Sequence, residues 1–188
     1  EAALKEGVRF VEFDVQFTQD QIPVVLHDAN LKRTTGVNKL IHNLSFADLD
    51  GVVVNEAKKH PIKFANVGIP SLESIIELLQ AYPDVHAFVE IKQEAIDSIG
   101  IEKGVKMLAE ICTPIIDRCS LIAYNDLALR CSRAMGFNSI GWILGAYDGE
   151  SLEKATELAP DYLICNYTKL PEGTESLWRG PWKWAFYE

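Results

Sequence analysis

The stretch VEFDVQFTQDQIPVVLHD, residues 11–28, contains two short apolar runs separated by a polar turn, and both runs are typical of β-strands. Side chains alternate between the two faces of a strand, so Glu12 and Asp14 share one face of the first run. The valine and phenylalanine residues beside them share the other face. His27 ends the second run. The stretch therefore predicts a strand that holds two carboxylates side by side opposite its apolar face.

Beyond this stretch, short β-branched or aromatic runs alternate with longer helical patterns, as in βα units around a parallel sheet. One such helix is predicted to begin at Ser71, a good N-cap residue. The strand-like runs are HAFVEIK, CSLIAY, SIGWIL, DYLICNY and PWKWAFYE. No GxGxxG follows the first strand, so the order favours a TIM (β/α)8 barrel over a dinucleotide-binding sheet. Because such a barrel usually takes about 250 residues, we expect it to be incomplete in this chain.

Residues 1–188 fit a single domain, since a chain of this length buries a sizeable core. We find no linker, low-complexity segment or internal repeat. The long non-periodic stretch from about Ala29 to Pro70 lies between a strand and the next helix, which is the catalytic face of a barrel. We therefore expect an insertion at about 29–70 that caps the substrate site.

Composition excludes several classes of function. The formal net charge of −9 disfavours binding to nucleic acid. No apolar run approaches the roughly 20 residues of a membrane-spanning helix, so stable membrane insertion is not expected. Cys112, Cys119, Cys131 and Cys165 show no CxxC spacing and have apolar neighbours, which favours reduced core thiols over a zinc site or disulfides and predicts a cytoplasmic location.

A second strand repeats the polar pattern of the first. In FVEIK, Glu90 and Lys92 share one face, and we expect them to converge with Glu12 and Asp14 at the C-terminal ends of the strands. Like charges in a low dielectric are unfavourable unless a positive group lies between them, and oxygen ligands suit Mg²⁺ or Ca²⁺. Lys92 offers a compact charge for a phosphoryl oxygen. The alternatives are that each acid forms a loop salt bridge and that Lys92 is a partner for Glu90.

His27 precedes Asp28, which could orient the imidazole by accepting its other N–H. A histidine can donate or accept a proton at neutral pH, as protonation of an alkoxide leaving group requires. The alternative is a loop histidine simply paired with Asp28. His42, His60 and His86 have no comparable acidic neighbour, and we interpret them as surface or loop residues.

The motif E-F-D-V-x-F-T-x-D-x-x-P-V-V-L-H-D-x-x-L-x-R-T-T-G, Glu12 to Gly36, resembles the hallmark block of the glycerophosphodiester phosphodiesterases. The segments Ile69–Ser74 and Val89–Lys92 resemble the family's next two blocks in the right order, and weaker similarity covers essentially the whole chain. The resemblance implies a TIM barrel that hydrolyses small-molecule glycerophosphodiesters, such as glycerophosphocholine, to glycerol 3-phosphate and an alcohol with Mg²⁺ or Ca²⁺.

Residue by residue, the resemblance implies that Glu12, Asp14 and Glu90 are metal ligands. It implies that His27 protonates the leaving alcohol and that Lys92 contacts the phosphate of the substrate. The long stretch after His27 is similar in position to the family's insertion over the substrate.

Two parts of the family pattern are missing. The family opens with a His-Arg-Gly motif that supplies a second catalytic histidine and an arginine, and this chain starts after that point and stops before the last strand. We therefore expect a fragment of a longer enzyme. Loss of a proton carrier commonly lowers the rate 10²- to 10⁴-fold, so the fragment is expected to be inactive alone. Within the insertion, Asp28 and Arg33 are expected to brace the loop rather than touch substrate.

Other functions remain open at the level of sequence. One is a related barrel phosphodiesterase that acts on inositol or sphingolipid head groups, although no basic or amphipathic membrane stretch supports it. Another is a non-catalytic barrel that binds glycerophosphates or a protein partner. A sugar isomerase would need metal ligands on CSLIAY and SIGWIL, which offer none. The C-terminal aromatic cluster is expected to serve core and rim packing rather than choline binding; it comprises Trp178, Trp182, Trp184, Phe186 and Tyr187.

Overall fold

The computed structural model describes residues 1–54, 67–170 and 177–188. The strands are β1 (Phe10–Phe17), β2 (Pro23–Val25), β3 (His86–Ile91), β4 (Cys119–Ala123), β5 (Ser139–Ile143), β6 (Tyr162–Asn166) and β7 (Lys183–Tyr187). The α-helices are α1 (Ala2–Lys5), α2 (Lys32–Thr35), α3 (Leu72–Gln80), α4 (Gln93–Ile99), α5 (Ile101–Cys112), α6 (Asp126–Ala134) and α7 (Gly149–Leu158). Four 3₁₀ segments accompany them, at Ile41–Asn43, Phe46–Leu49, Thr113–Arg118 and Tyr167–Lys169.

The strands form one sheet in the order β2-β1-β3-β4-β5-β6-β7. All neighbours from β1 to β7 pair in parallel, whereas β2 folds back antiparallel onto β1. Helices connect successive parallel strands from β1 to β6. This is the architecture of a TIM barrel, and within the described residues the ring is not closed, because β2 and β7 do not pair. The predicted fold class is confirmed.

The central strands β3 to β6 are buried on both faces along most of their length, as expected for parallel strands. The outer face packs against the helices through residues such as Val15, Val89 and Leu121, each 0 % exposed. The inner face has a separate apolar layer of Phe88, Ile122, Ile143 and Ile164. These four residues also line the cavity described in the next subsection.

Gly141 in β5 shows how tightly the inner layer is packed. A Cβ atom at this position would lie 2.8 Å from Cγ2 of Ile122 and 2.9 Å from Cδ1 of Ile164. Such distances are shorter than carbon–carbon contact allows, so any larger residue here would have to displace the two isoleucine side chains.

The helix starts follow from capping residues. The Ser71 hydroxyl accepts a hydrogen bond from the Ser74 N–H at 3.2 Å and begins α3, as predicted. Asn125 and Asp148 cap α6 and α7 in the same way. The predicted strands and main helices are thus found in order, whereas the short helix α4 was not anticipated.

The stretch after β2 forms α2, two 3₁₀ turns and a small core of its own, which also includes residues of β2 and of the segment before α3. That core consists of Val24, Leu26, Leu31, Ile41, Leu44, Leu49 and Ile69. Part of the predicted insertion at 29–70, residues 55–66, lies outside the described residues. Its capping role stays a prediction, since none of its described residues lines the cavity reported below.

Three further expectations can be compared with the structure. All four cysteines are free thiols, and Cys112, Cys119 and Cys165 are buried. The interpretation of His86 as a surface or loop residue is wrong, because His86 opens β3 and its ring is half-buried against Ser120. His60 lies outside the described residues. No helix formed by the described residues is long and apolar enough to cross a membrane.

Candidate active site

Three carboxylates meet at the C-terminal end of the inner face. Asp14 and Glu90 are directly paired in the register of β1 and β3, and Glu12 lies two residues before Asp14 on the same face. One carboxylate oxygen from each of the three lies within 4.8 Å of the others. The structure therefore brings together the three predicted metal ligands.

Lys92 follows β3 directly and lies between two of these acids. Its Nζ atom is 3.2 Å from Oδ1 of Asp14 and 2.8 Å from Oε1 of Glu90. The side chains of Lys92, Asp14 and Glu90 are only 16 %, 16 % and 11 % exposed, so these ion pairs are shielded from water. The alternative role of Lys92, as a partner for Glu90, is therefore present in this structure.

One ammonium does not balance three carboxylates. Burial, together with the negative charges of Asp14 and Glu90, raises the pKa of Glu12 to about 7. Glu12 is nevertheless exposed, because its side chain faces the open space in front of the acids. Burial also raises the pKa of Glu90, against the opposing effect of Lys92. For Lys92, burial acts to lower the pKa, but the contacts with Glu90 and Asp14 prevail and raise it. The acids thus retain uncompensated negative charge.

The donor set fits a hard dication. Oε1 of Glu90 is buried, and although it contacts Lys92 it accepts no aligned hydrogen bond from the described residues. Because Glu90 shares this ammonium with Asp14, a second positive group would complete the surroundings of the buried carboxylate. Three carboxylates without cysteine or histidine suit Mg²⁺ or Ca²⁺ better than zinc.

His27 is held at the same cavity by a chain of contacts. Its Nδ1 atom is 2.6 Å from Oδ1 of Asp28, and Nη2 of Arg33 donates to the same oxygen at 3.1 Å. Hydrogen bonding to Arg33, and secondly to His27, lowers the pKa of Asp28 to about 2. An ionised carboxylate can only accept, so Nδ1 carries the hydrogen and Nε2 is left for the cavity. Asp28 and Arg33 therefore brace His27 itself.

Backbone contacts fix where His27 lies. The Leu26 N–H donates to the carbonyl of Asp14 at 2.9 Å, and the Gln16 side chain donates to the carbonyl of His27 at 3.2 Å. Both bonds tie the end of the second run to β1. The histidine is thereby held beside the strand that carries Glu12 and Asp14.

A cavity of about 520 Å³ contains all of the predicted site residues. One wall carries Glu12, Asp14, His27, Glu90 and Lys92. Phe88 of β3 lies below these residues, and the other wall consists of residues from β4 to β7 and the end of the chain, namely Ile122, Tyr124, Ile143, Ile164, Ala185, Phe186, Tyr187 and Glu188. The site therefore pairs a charged wall with a largely apolar one, as small-molecule sites commonly do.

Sequence reasoning missed Tyr124 and did not predict which members of the aromatic cluster would line the cavity. Trp182 is buried, and Trp178 stacks on Tyr147 at 4.0 Å, in agreement with a packing role. Tyr187, however, lines the cavity beside Tyr124. The signal that was available is the position of Tyr124 at the end of CSLIAY, where a side chain of the inner face reaches the catalytic end.

Comparison with known proteins places this geometry in context. The model of the glycerophosphoryl diester phosphodiesterase family matches residues 1–131. The chain is 33 % identical over 108 residues to glycerophosphodiester phosphodiesterase 1 of Bos taurus, covering 56 % of this chain and 31 % of that protein. It is 31 % identical over 106 residues to a glycerophosphodiester phosphodiesterase of Bacillus altitudinis, covering 56 % and 42 %. The chain thus spans about a third to a half of these relatives.

Solved structures share the fold. A phosphodiesterase of Oleispira antarctica, solved in complex with the product sn-glycerol-3-phosphate, superposes with a TM-score of 0.76 at 23 % identity, over 90 % of this chain and 68 % of that one. A glycerophosphodiester phosphodiesterase of Parabacteroides distasonis gives a TM-score of 0.72 at 18 % identity, over 90 % and 65 %.

Proposed function

Because the chain belongs to the glycerophosphoryl diester phosphodiesterase family, we propose that its protein hydrolyses glycerophosphodiesters to glycerol 3-phosphate and an alcohol with the help of Mg²⁺ or Ca²⁺. The observation that carries the proposal is the meeting of three carboxylates, a lysine and a braced histidine in one cavity. The bound product in the Oleispira antarctica relative supports a substrate of this size and charge.

Glu12, Asp14 and Glu90 would hold the cation. A dication bound there supplies positive charge that offsets the negative charge growing on the phosphoryl oxygens during hydrolysis. The requirement for these ligands explains why three acids are kept together where their mutual repulsion disfavours the folded state.

Lys92 has a second role in this proposal. Its ammonium has three N–H donors, and two of them face Asp14 and Glu90. The third is available to a phosphoryl oxygen in the cavity. Lys92 would thereby position the phosphate next to the acids while it moderates their repulsion.

His27 is the proposed general acid. Its Nδ1 hydrogen is engaged by Asp28, so a proton carried on Nε2 is directed to the cavity and can pass to the departing alkoxide oxygen. The other proton carrier, which would activate the nucleophile, is not evident among the described residues that line the cavity. We therefore propose that this chain alone is inactive and that the full-length protein supplies the missing group.

Hydrolysis of glycerophosphocholine by the full-length protein tests the proposal. His27→Ala should lower kcat by about 10²- to 10⁴-fold, the usual contribution of a positioned proton donor, while Mg²⁺ and Ca²⁺ binding persists. His42→Ala is the matched control, since His42 lies outside the cavity, and it should leave turnover unchanged. Wild-type activity that survives exhaustive chelation, or a fully active His27→Ala enzyme, would contradict the proposal. Binding of glycerophosphates by the wild type without turnover would instead identify a non-catalytic barrel.

A further inference from the structure

The wall opposite the acids contains two tyrosines whose hydroxyl groups are in contact. Glu90 pairs with Ile122 in the register of β3 and β4. Tyr124 follows Ile122 by two residues, as Lys92 follows Glu90, so Tyr124 comes level with Lys92 on the neighbouring strand and on the same inner face. The Trp142 indole N–H donates to the Tyr124 carbonyl at 3.0 Å and fixes the backbone there.

Tyr187 comes from the opposite side of the cavity mouth. It ends β7 and is paired with Asn166 of β6, so three strand positions separate it from β4. The two phenol oxygens are nevertheless 2.7 Å apart. The pair therefore spans the mouth above β5 and β6, and Tyr124 and Tyr187 are 47 % and 37 % exposed.

The pair has hydrogen-bonding capacity to spare. One hydroxyl donates to the other, and the second hydrogen has no acceptor among the described residues. Burial, followed by the hydrogen bond with Tyr187, raises the pKa of Tyr124, so the Tyr124 phenol stays protonated at neutral pH. A neutral donor that faces a cavity is suited to a hydroxyl group.

The neighbouring residues indicate which part of a ligand would lie there. Ile143 and Ile164 line the same wall, and they offer contact to carbon atoms. The charged wall across the cavity carries Lys92 for a phosphoryl group. A molecule with a phosphate at one end and hydroxyl-bearing carbons at the other would match both walls.

On the basis of the proposed function, we infer that the Tyr124–Tyr187 pair binds a free hydroxyl of the glycerol half of the substrate and so selects glycerol phosphates over simple alkyl phosphates. The tyrosines act as a specificity element and take no part in proton transfer. Their contribution is a net hydrogen bond of the usual strength, which corresponds to about a three- to tenfold change in affinity.

The test compares two ligands on the full-length protein. Calorimetry with sn-glycerol 3-phosphate and with ethyl phosphate, which lacks free hydroxyls, is run on the wild type, Tyr124→Phe and Tyr187→Phe. Each variant should bind sn-glycerol 3-phosphate about three- to tenfold more weakly and ethyl phosphate as well as the wild type does. Tyr167→Phe is the matched control, because Tyr167 is 52 % exposed and does not line the cavity.

Three results would overturn the inference. The first is a wild type that binds both ligands equally. The second is variants that lose affinity for both ligands equally, which would assign the phenols to the phosphoryl group or to cavity shape. The third is variants that keep wild-type affinity for both ligands. Thermal melting of each variant checks that the fold is intact. Discrimination between the two ligands by a protein that does not hydrolyse glycerophosphocholine would refute the proposed function and leave this inference standing.

Discussion

Both ends of the sheet's inner face carry polar residues, but the two ends differ in whether those residues find hydrogen-bond or charge partners within the protein. At the N-terminal end, His86 Nε2 is 2.8 Å from the Ser120 hydroxyl, which is 2.6 Å from the Ser139 hydroxyl. Phe88 and Tyr162 surround the imidazole with ring centroids 5.0 and 5.8 Å away. The imidazole and the two hydroxyl groups are thus paired with one another, and the charged group nearby, Nζ of Lys183, lies 5.7 Å from the centre of the Tyr162 ring.

The C-terminal end keeps an excess of charge instead. Asp14 and Glu90 share one ammonium there, and the third carboxylate, that of Glu12, has no cationic partner among the described residues. Polar residues of a stable core are normally satisfied within the protein, as they are around His86. The difference between the ends supports the proposal that the acidic cluster is maintained for a ligand, whereas the His86 cluster is satisfied within the fold.

The largest effect is expected from Glu12→Gln. Glu12 forms no ion pair with the described cations, so the change removes a proposed metal ligand together with a source of repulsion. In the full-length protein, we expect turnover of glycerophosphocholine to fall at least 10²-fold and the chelated protein to melt at a higher temperature than the wild type. Activity assays and calorimetric melting in chelator measure both. If Glu12→Gln were less stable than the wild type and turned over normally, Glu12 would serve the fold rather than the proposed metal site.

Asp28→Asn should have a smaller effect on activity. The amide offers His27 a donor or a weaker acceptor and no longer enforces the hydrogen on Nδ1, so we expect kcat to fall roughly 10- to 100-fold with little change in KM. Steady-state kinetics on the full-length protein provide the check. Asp97→Asn, on the exposed surface of α4, is the control and should behave as the wild type. A rise in KM with unchanged kcat would show that Asp28 serves binding rather than His27.

At the opposite end, Ser120→Ala should affect stability instead of activity. Ser120 is 0 % exposed, and its hydroxyl joins His86 to Ser139. Removing it leaves both partners without their bond, which typically lowers the free energy of unfolding by about 1–3 kcal/mol. Denaturant titration measures the loss, and kcat at a temperature where the variant is folded should be unchanged. A specific loss of kcat would mean that this end also takes part in function.

The smallest effect is a pH dependence at His86. Burial, together with the positive charges of Lys183 and Arg118, lowers the pKa of His86 below its usual 6.5. The unfolded chain therefore takes up a proton first as pH falls, so this contribution to stability is present above about pH 6.5 and is lost as pH falls through the folded pKa. Glu12, whose pKa is raised, acts in the opposite sense in the metal-free protein.

Comparison of the wild type with His86→Gln separates these two contributions, since both proteins retain Glu12. When the pH is lowered from 7 to 5.5 in the presence of chelator, the melting temperature of the wild type should fall relative to that of His86→Gln. Parallel curves would show that His86 does not titrate differently in the folded protein.

Local patterns predicted much of this molecule. Period-two alternation placed Glu12, Asp14 and Glu90 on one face, because side chains of a strand alternate regardless of what packs around them. The Ser71 cap located α3 for a similarly local reason. The contact between Tyr124 and Tyr187 depends on the curvature that brings β4 and β7 together, and no local pattern contains it. His86 was misread because its partners, Ser120 and Ser139, come from two later strands.

The most direct test of the account is calorimetric titration of the full-length protein with Mg²⁺ and Ca²⁺, in parallel with Glu12→Gln and Ser120→Ala. We predict that the wild type and Ser120→Ala bind one dication at this site and that Glu12→Gln loses this binding. Absence of uptake by the wild type, or uptake that is unchanged in Glu12→Gln, would contradict the claim that the three acids are assembled around a cation.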